Sequence, residues 1–160
     1  MSPSLFKAAY DGRFPYDLIP GEDFEASYRR FLEGYDGINV TAPFKELAYA
    51  KADIISEECR LAKATNILVK TPDGVKAYNS DLLGVRLWLS GVAESLKRTP
   101  PTAIEVLIVG SGGAGKAAAA AAALLGMKVV LMNRNMARAE KLAEDFGVMG
   151  HETEVRPLDD

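Results

Sequence analysis

Two short segments of this chain hold side chains able to move or steer protons. Asn39-Val40-Thr41-Ala42-Pro43-Phe44-Lys45 gathers an amide, a hydroxyl and an amine at the end of a short predicted strand. Strand alternation sends Asn39 and Thr41 to the same side, and Lys45 follows a rigid proline turn. Asn79-Ser80-Asp81 forms the second cluster, with Asp81 at the start of a predicted helix. Spacing alone supports plainer readings: Asp81 caps or charges a helix N-terminus, and Lys45 is a solvated lysine in a first helical turn. Nothing in the spacing brings the two together.

A third segment points to a bound phosphate. Gly110-Ser111-Gly112-Gly113-Ala114-Gly115 fits G-x-G-x-x-G between a strand and a helix. In such a turn the first glycine permits the tight bend and the second lets backbone approach a pyrophosphate. The third seats the helix close to the strand, and the free N–H groups of the helix start attract the anion. The motif gains weight from its flanks, since a strand, a helix and a second strand fall where a dinucleotide unit needs them. An NAD-binding unit usually ends its second strand on Asp or Glu, about 20 residues on, for the ribose 2′-OH. Here Asn133-Arg134-Asn135 stands there instead. An arginine suits a 2′-phosphate through charge-assisted, often bidentate bonds, which favours NADP over NAD.

The elements that must position these groups read as follows. Ser2 to Tyr10 begins with an N-cap and a first-turn proline, Phe14 to Ile19 reads as a short strand, and Asp23 to Gly34 as an amphipathic helix. Gly37 to Thr41 is a strand stopped by Pro43, followed by helix from Lys45 through Cys59 with a break inside. Thr65–Lys70 and Val75–Asn79 flank the turn Thr71-Pro72-Asp73-Gly74 as a hairpin. Asp81 to Lys97 is a long helix with Leu82, Val85, Leu89 and Val92 as its buried stripe, and Arg98-Thr99-Pro100-Pro101-Thr102 is a stiff junction. Then come two apolar strands of the kind buried on both faces, Glu105–Gly110 and Lys128–Asn133, each followed by a helix. The expected pattern here is βαβα.

The 160 residues carry a net charge of −3, 48% hydrophobic and 26% charged residues, one Cys and one His. That balance excludes a disordered or fibrous chain and gives no general attraction for nucleic acid. No run is long and apolar enough to span a membrane, and no signal-peptide pattern opens the chain. Lone Cys59 fits a reducing, cytoplasmic compartment. With His151 it also leaves too few soft ligands for a zinc site.

Taken in order, Ser2-Pro3, Asn39-Val40-Thr41-Ala42-Pro43-Phe44-Lys45, Ala64-Thr65-Asn66, Asn79-Ser80-Asp81, Gly110–Gly115 and Asn133-Arg134 resemble the motifs of shikimate dehydrogenases. The resemblance runs over the whole chain, and its Asn-Val-Thr-x-Pro-x-Lys segment is far more specific than the glycine turn. It implies an oxidoreductase of aromatic amino-acid and chorismate biosynthesis that reduces 3-dehydroshikimate to shikimate with NADPH. Lys45 matches the family's catalytic lysine, which gives a proton to the carbonyl oxygen as hydride arrives, and Asp81 its paired aspartate. Ser2, Asn39, Thr41 and Asn66 are then expected to bind substrate. Gly110, Ser111, Gly112, Gly113, Ala114, Gly115, Asn133 and Arg134 are expected to bind NADP. Two positions depart from the pattern: Asn135 replaces a threonine after Asn-Arg, and Ser80 stands where Thr is usual.

The expected fold is α/β: an N-terminal α/β substrate-binding domain over 1–100, then the first half of a Rossmann NADP-binding domain over 101–160. On this reading the family's first strand and the later nucleotide-domain strands have no counterpart. The partner is a small molecule, with no nucleic acid and no membrane. Two rival readings are a quinate/shikimate dehydrogenase using NAD and a non-catalytic binding module or inactive fragment.

Overall fold

The computed structural model describes residues 2–97, 100 and 104–158, the side chain of Ser2 excepted. Met1 and nearly all of the expected Arg98–Thr102 junction lie outside the described residues. The chain divides into two units, Met1–Asp36 and Gly37–Asp160.

The first unit holds two helices, α1 (Ser2–Ala9) and α2 (Phe24–Gly34). The Asp23 side chain accepts from Ala26 N–H at 2.7 Å and caps α2, and Phe31 is its buried anchor. The strand expected over Phe14–Ile19 does not form; this segment is irregular. Pro15 and Pro20 have no N–H to give a ladder. Its aromatic rings pack instead, with Phe6 against Tyr16 at 4.7 Å and Tyr10 against Phe14 at 5.4 Å.

The second unit opens with β1 (Gly37–Asn39), α3 (Lys45–Lys51), β2 (Ile54–Ile55), α4 (Glu57–Ala62), β3 (Ile67–Thr71), β4 (Gly74–Tyr78) and α5 (Ser80–Ser95). Four strands form a mixed sheet in the order β1-β3-β4-β2. The hairpin forms as expected, with Thr71 opposite Gly74 across a Pro72-Asp73 turn. Strand β1 stops at Asn39, so Thr41 lies beyond it and the alternation expected to align Asn39 with Thr41 does not apply. The break expected in the helix from Lys45 contains β2, which pairs parallel with β4. Helix α5 starts one residue earlier than expected, because Asn79 and not Asp81 is its N-cap: Asn79 Oδ1 accepts from Leu82 N–H at 3.0 Å. Asp81 sits in the first turn and charges it.

The rest alternates strand and helix: β5 (Glu105–Val109), α6 (Gly113–Leu124), β6 (Lys128–Asn133), α7 (Met136–Val148) and β7 (Thr153–Pro157). All three strands are parallel, in the order β5-β6-β7. Strand β7 was not expected; Thr153-Glu154-Val155-Arg156-Pro157 has one apolar residue, Val155, turned to the core, and otherwise reads as polar loop. Helix α7 runs through Gly147 rather than ending there, and the left-handed position falls at Gly150 with φ +82°. Strand β5 is not buried on both faces. Val106 and Ile108 face the core, but Leu107 is 54% and Val109 62% exposed. The cause is layering: α6 and α7 share one core with Ile108, Val129, Leu131 and Val155, so both cover the same face of the sheet. Ala117 and Ala119–Ala123 of α6 are all buried in that core. Their methyl-sized side chains admit α5 on one side and the sheet on the other. The second unit is mixed α/β with a parallel, Rossmann-type half.

Candidate active site

The chain from β1 to α3 is pinned to the strand beside it by backbone bonds. Val40 N–H donates to the Asn66 carbonyl at 2.8 Å, and Thr65 N–H donates to the Lys45 carbonyl at 3.0 Å. Thr65 is fully buried, its hydroxyl donating to the Tyr78 carbonyl at 2.6 Å. The Asn79 amide, also buried, donates to the Ala64 carbonyl at 3.0 Å. The start of α3, the Ala64–Asn66 loop and the start of α5 are thereby locked together.

Their side chains converge. Lys45 Nζ donates to Asp81 Oδ2, with the two side chains 16% and 32% exposed. Asn66 Nδ2 donates to the other carboxylate oxygen, Asp81 Oδ1, at 2.8 Å and to Ser80 Oγ at 2.9 Å. Asn66 Oδ1 in turn accepts from Ser80 N–H at 2.9 Å. Asp81 is thus held from both sides, and its charge fixes the direction of the Lys45 ammonium. Among the residues expected to bind substrate, Asn66 is in this cluster. Asn39 ends β1 opposite Ile67, and Thr41 is exposed in the turn that leads to α3, where its carbonyl accepts from Phe44 N–H. The role expected of Ser2 rests on a side chain outside the described set.

The glycine turn has the form its spacing predicts. Gly110 takes φ +96°, which L side chains rarely adopt. A Cβ on Gly115 would collide with the Gly110 carbonyl oxygen, so α6 closes directly on the turn. A Cβ on Gly110 or Gly112 would meet nothing within 4 Å, so open space lies over the turn. Gly112 is the N-cap of α6 and offers no side-chain acceptor to the helix's first N–H groups. Gly113 and Ala114 begin the helix. Ser111 is buried, and Asn133 Nδ2 donates to its hydroxyl, tying the end of β6 to the turn. Arg134 is exposed just past β6. An open turn at a helix start without a side-chain cap, with an arginine nearby, fits a dinucleotide carrying a 2′-phosphate.

The Lys45–Asp81 cluster and this turn also meet. A Cβ on Gly113 would lie 2.9 Å from Lys45 Cδ, so the lysine stem runs against the turn. The same tightness explains why glycine stands at this position of the motif. Sequence reasoning missed Thr65 and Asn79 as organisers of the site; for Asn79 the available signal was an Asn just ahead of a helix. It also missed Glu46, Lys116 and Arg138, which form an ion-pair group beside Lys45. No spacing rule links such distant positions. Among the described residues no group of three or more His, Cys, Asp or Glu could hold a metal ion, and no helix is long and apolar enough to cross a membrane.

Comparison with known proteins gives two family matches: the shikimate dehydrogenase substrate binding domain over residues 1–68, and the alanine dehydrogenase/PNT C-terminal domain over 89–156. A shikimate dehydrogenase (NADP(+)) of Acinetobacter baumannii is 36% identical over 142 residues, which are 88% of this chain and 52% of that protein. Shikimate dehydrogenase of Mycobacterium tuberculosis superposes with a TM-score of 0.77 at 30% identity, covering 99% of this chain and 60% of that one. Quinate dehydrogenase of Corynebacterium glutamicum, solved with NAD, superposes with a TM-score of 0.74 at 26% identity, covering 99% and 59%. The chain spans about half the length of the curated relatives it matches.

Proposed function

We propose that this chain, which belongs to the shikimate dehydrogenase family, carries the proton-transfer and cofactor-binding parts of an NADPH-dependent reduction of 3-dehydroshikimate to shikimate. The observation that carries the reading is the Lys45–Asp81–Asn66 cluster lying against the glycine turn. The reaction needs a hydride and a proton delivered to one carbonyl. NADPH supplies the hydride when bound. Lys45 Nζ gives the proton to the carbonyl oxygen and takes it back in the reverse direction. Asp81 directs the ammonium, and Asn66 keeps Asp81 in place. Ser2, Asn39, Thr41 and Asn66 are the proposed substrate contacts. Gly110, Ser111, Gly112, Gly113, Ala114 and Gly115 form the proposed pyrophosphate cradle, and Asn133 and Arg134 hold the adenosine end. Residues 1–100 act as the substrate-binding part and 101–160 as the NADP-binding part. The buried, unpaired thiol of Cys59 is in keeping with a cytoplasmic protein.

Arg134, in the place where an NAD unit carries Asp or Glu, supports NADP over NAD. The name of the Acinetobacter baumannii relative agrees with that preference. A second reading, a binding module without turnover, draws on the open face of β5 at Leu107 and Val109. Mixing the purified chain with NADPH and 3-dehydroshikimate separates the two. Loss of reduced-nicotinamide absorbance is expected; a rise in Tm with both ligands but no oxidation supports the module. Neither oxidation nor a rise in Tm overturns both readings.

A further inference from the structure

Glu46 follows Lys45 in the first turn of α3, and the mechanism gives it nothing to do. Its Oε1 accepts from Lys116 Nζ at 2.9 Å and from Arg138 Nη2 at 2.9 Å. Lys116 immediately follows the glycine turn in the first turn of α6 and is 16% exposed; Arg138 is in the first turn of α7. Adjacent residues at the start of α3 therefore reach the nucleotide half by different means. The Lys45 stem packs against Gly113, and the Glu46 carboxylate takes two cations from the helices that precede and follow β6 in the chain.

The other anchors of α3's start lead elsewhere. The Lys45 carbonyl is held by Thr65 and its ammonium by Asp81, both belonging to the β1-β3-β4-β2 region. Those bonds fix Lys45 relative to Asn66 and reach the glycine turn only indirectly, through the packing of α5 on α6. A proton and a hydride that must reach one carbonyl need the two regions in register, and a displacement of about 1 Å can cost on the order of 10²-fold in rate. We propose that Glu46 is a positioning residue: through Lys116 and Arg138 it clamps the first turn of α3 onto α6 and α7 and so sets where Lys45 stands against the glycine turn. This rests on the reading in which Lys45 gives the proton and the turn holds the dinucleotide. The Lys116 hydrogen bond, ahead of a smaller opposing effect of burial, holds the Glu46 carboxyl below its usual value of 4.5, so the clamp is charged at neutral pH.

The test reads Lys45 itself. Purified chain is pulsed with acetic anhydride, and acetylation of each lysine is followed by mass spectrometry, with exposed Lys141 as the internal reference. Glu46→Gln, which removes the charge and keeps the shape, is expected to speed Lys45 acetylation about two- to fivefold, the range that ion pairs of this exposure sustain. Lys116→Met is expected to act in the same direction. The double variant should fall short of the product of the two effects, because both break one contact. Tm should move little. An unchanged Lys45 rate in both single variants overturns the clamp, as does a rise shared equally by Lys141, which would mean general loosening. Shikimate added to wild type tests the functional reading separately. If it gives Lys45 no protection while the Glu46 effect persists, the clamp stands and the assigned substrate falls.

Discussion

Lys45, the proposed proton donor, is not a solvated lysine. Its ammonium meets a carboxylate that Asn66 also grips, and its stem is confined by Gly113. General acid–base groups of this kind contribute about 10²–10⁴-fold to rate. Lys45→Ala is therefore expected to cut turnover by about that factor while shikimate still raises Tm; turnover at the wild-type level removes the role. Arg134, the proposed contact for the 2′-phosphate, is in contrast exposed. Losing a charge-assisted hydrogen bond typically costs about 1.5–3 kcal/mol. Arg134→Ala should accordingly weaken NADPH about tenfold or more by titration calorimetry, and leave NADH nearly unchanged; equal weakening of both refutes selection by this arginine. The residue types in the site were legible in the sequence, and the family resemblance paired Lys45 with Asp81, yet spacing did not bring them together. Lys45 and Asp81 lie on separate helices, and local spacing carries no information about a pairing that the fold alone creates.

At the scale of elements, the glycine turn and α6 are the most heavily constrained. Gly115 is pressed against the Gly110 carbonyl, and the alanines of α6 fill a narrow gap between α5 and the sheet. Overpacking such a gap costs about 1–3 kcal/mol. Ala120→Leu, at a position 1% exposed, should lower stability by about that amount in urea, and a neutral outcome would show that α5 and α6 pack loosely. Helices were read well because capping and apolar spacing are local. Two strands were misread for opposite reasons. Phe14–Ile19 has the composition of a strand, but Pro15 within it, Pro20 just after it and aromatic packing compete with a ladder. The charges of β7, in contrast, hide an edge strand whose Glu154 accepts from Arg156 Nε on the same strand at 2.7 Å and pairs with Lys128 of β6 at 3.3 Å.

Across the second unit, several elements are fastened by charge as well as by apolar packing. Lys63, left-handed at the end of α4 with φ +46°, binds Asp145 of α7 at 2.7 Å. That hydrogen bond, opposed by burial and helped by the charges of Lys63 and Lys141, holds the Asp145 carboxyl below its usual value of 3.8. A carboxyl depressed in the folded state stabilises it fully above the unfolded value, and that contribution is lost as pH falls through the folded one. Glu46 acts in the same direction. The urea midpoint should therefore fall as pH drops from about 5 towards 3, and Asp145→Asn should flatten part of that slope. A slope identical to wild type would show that the Lys63 bridge does not contribute.

By itself the sequence determined the local chemistry: a glycine turn between strand and helix, an arginine in place of a carboxylate, caps and breakers, and the motif order that carries the family. These follow from backbone freedom, helix ends and side-chain type, all of which act over a few residues. The pairing of Lys45 with Asp81, implied by resemblance alone, took its geometry from the tertiary structure, and only that structure decided that Gly113 gives way to the lysine stem and that Glu46 joins three helices. It also decided that β5 keeps one apolar face open. Those outcomes depend on which surfaces the packed layers bring within a few ångströms of one another, and that is a property of the whole arrangement rather than of any segment.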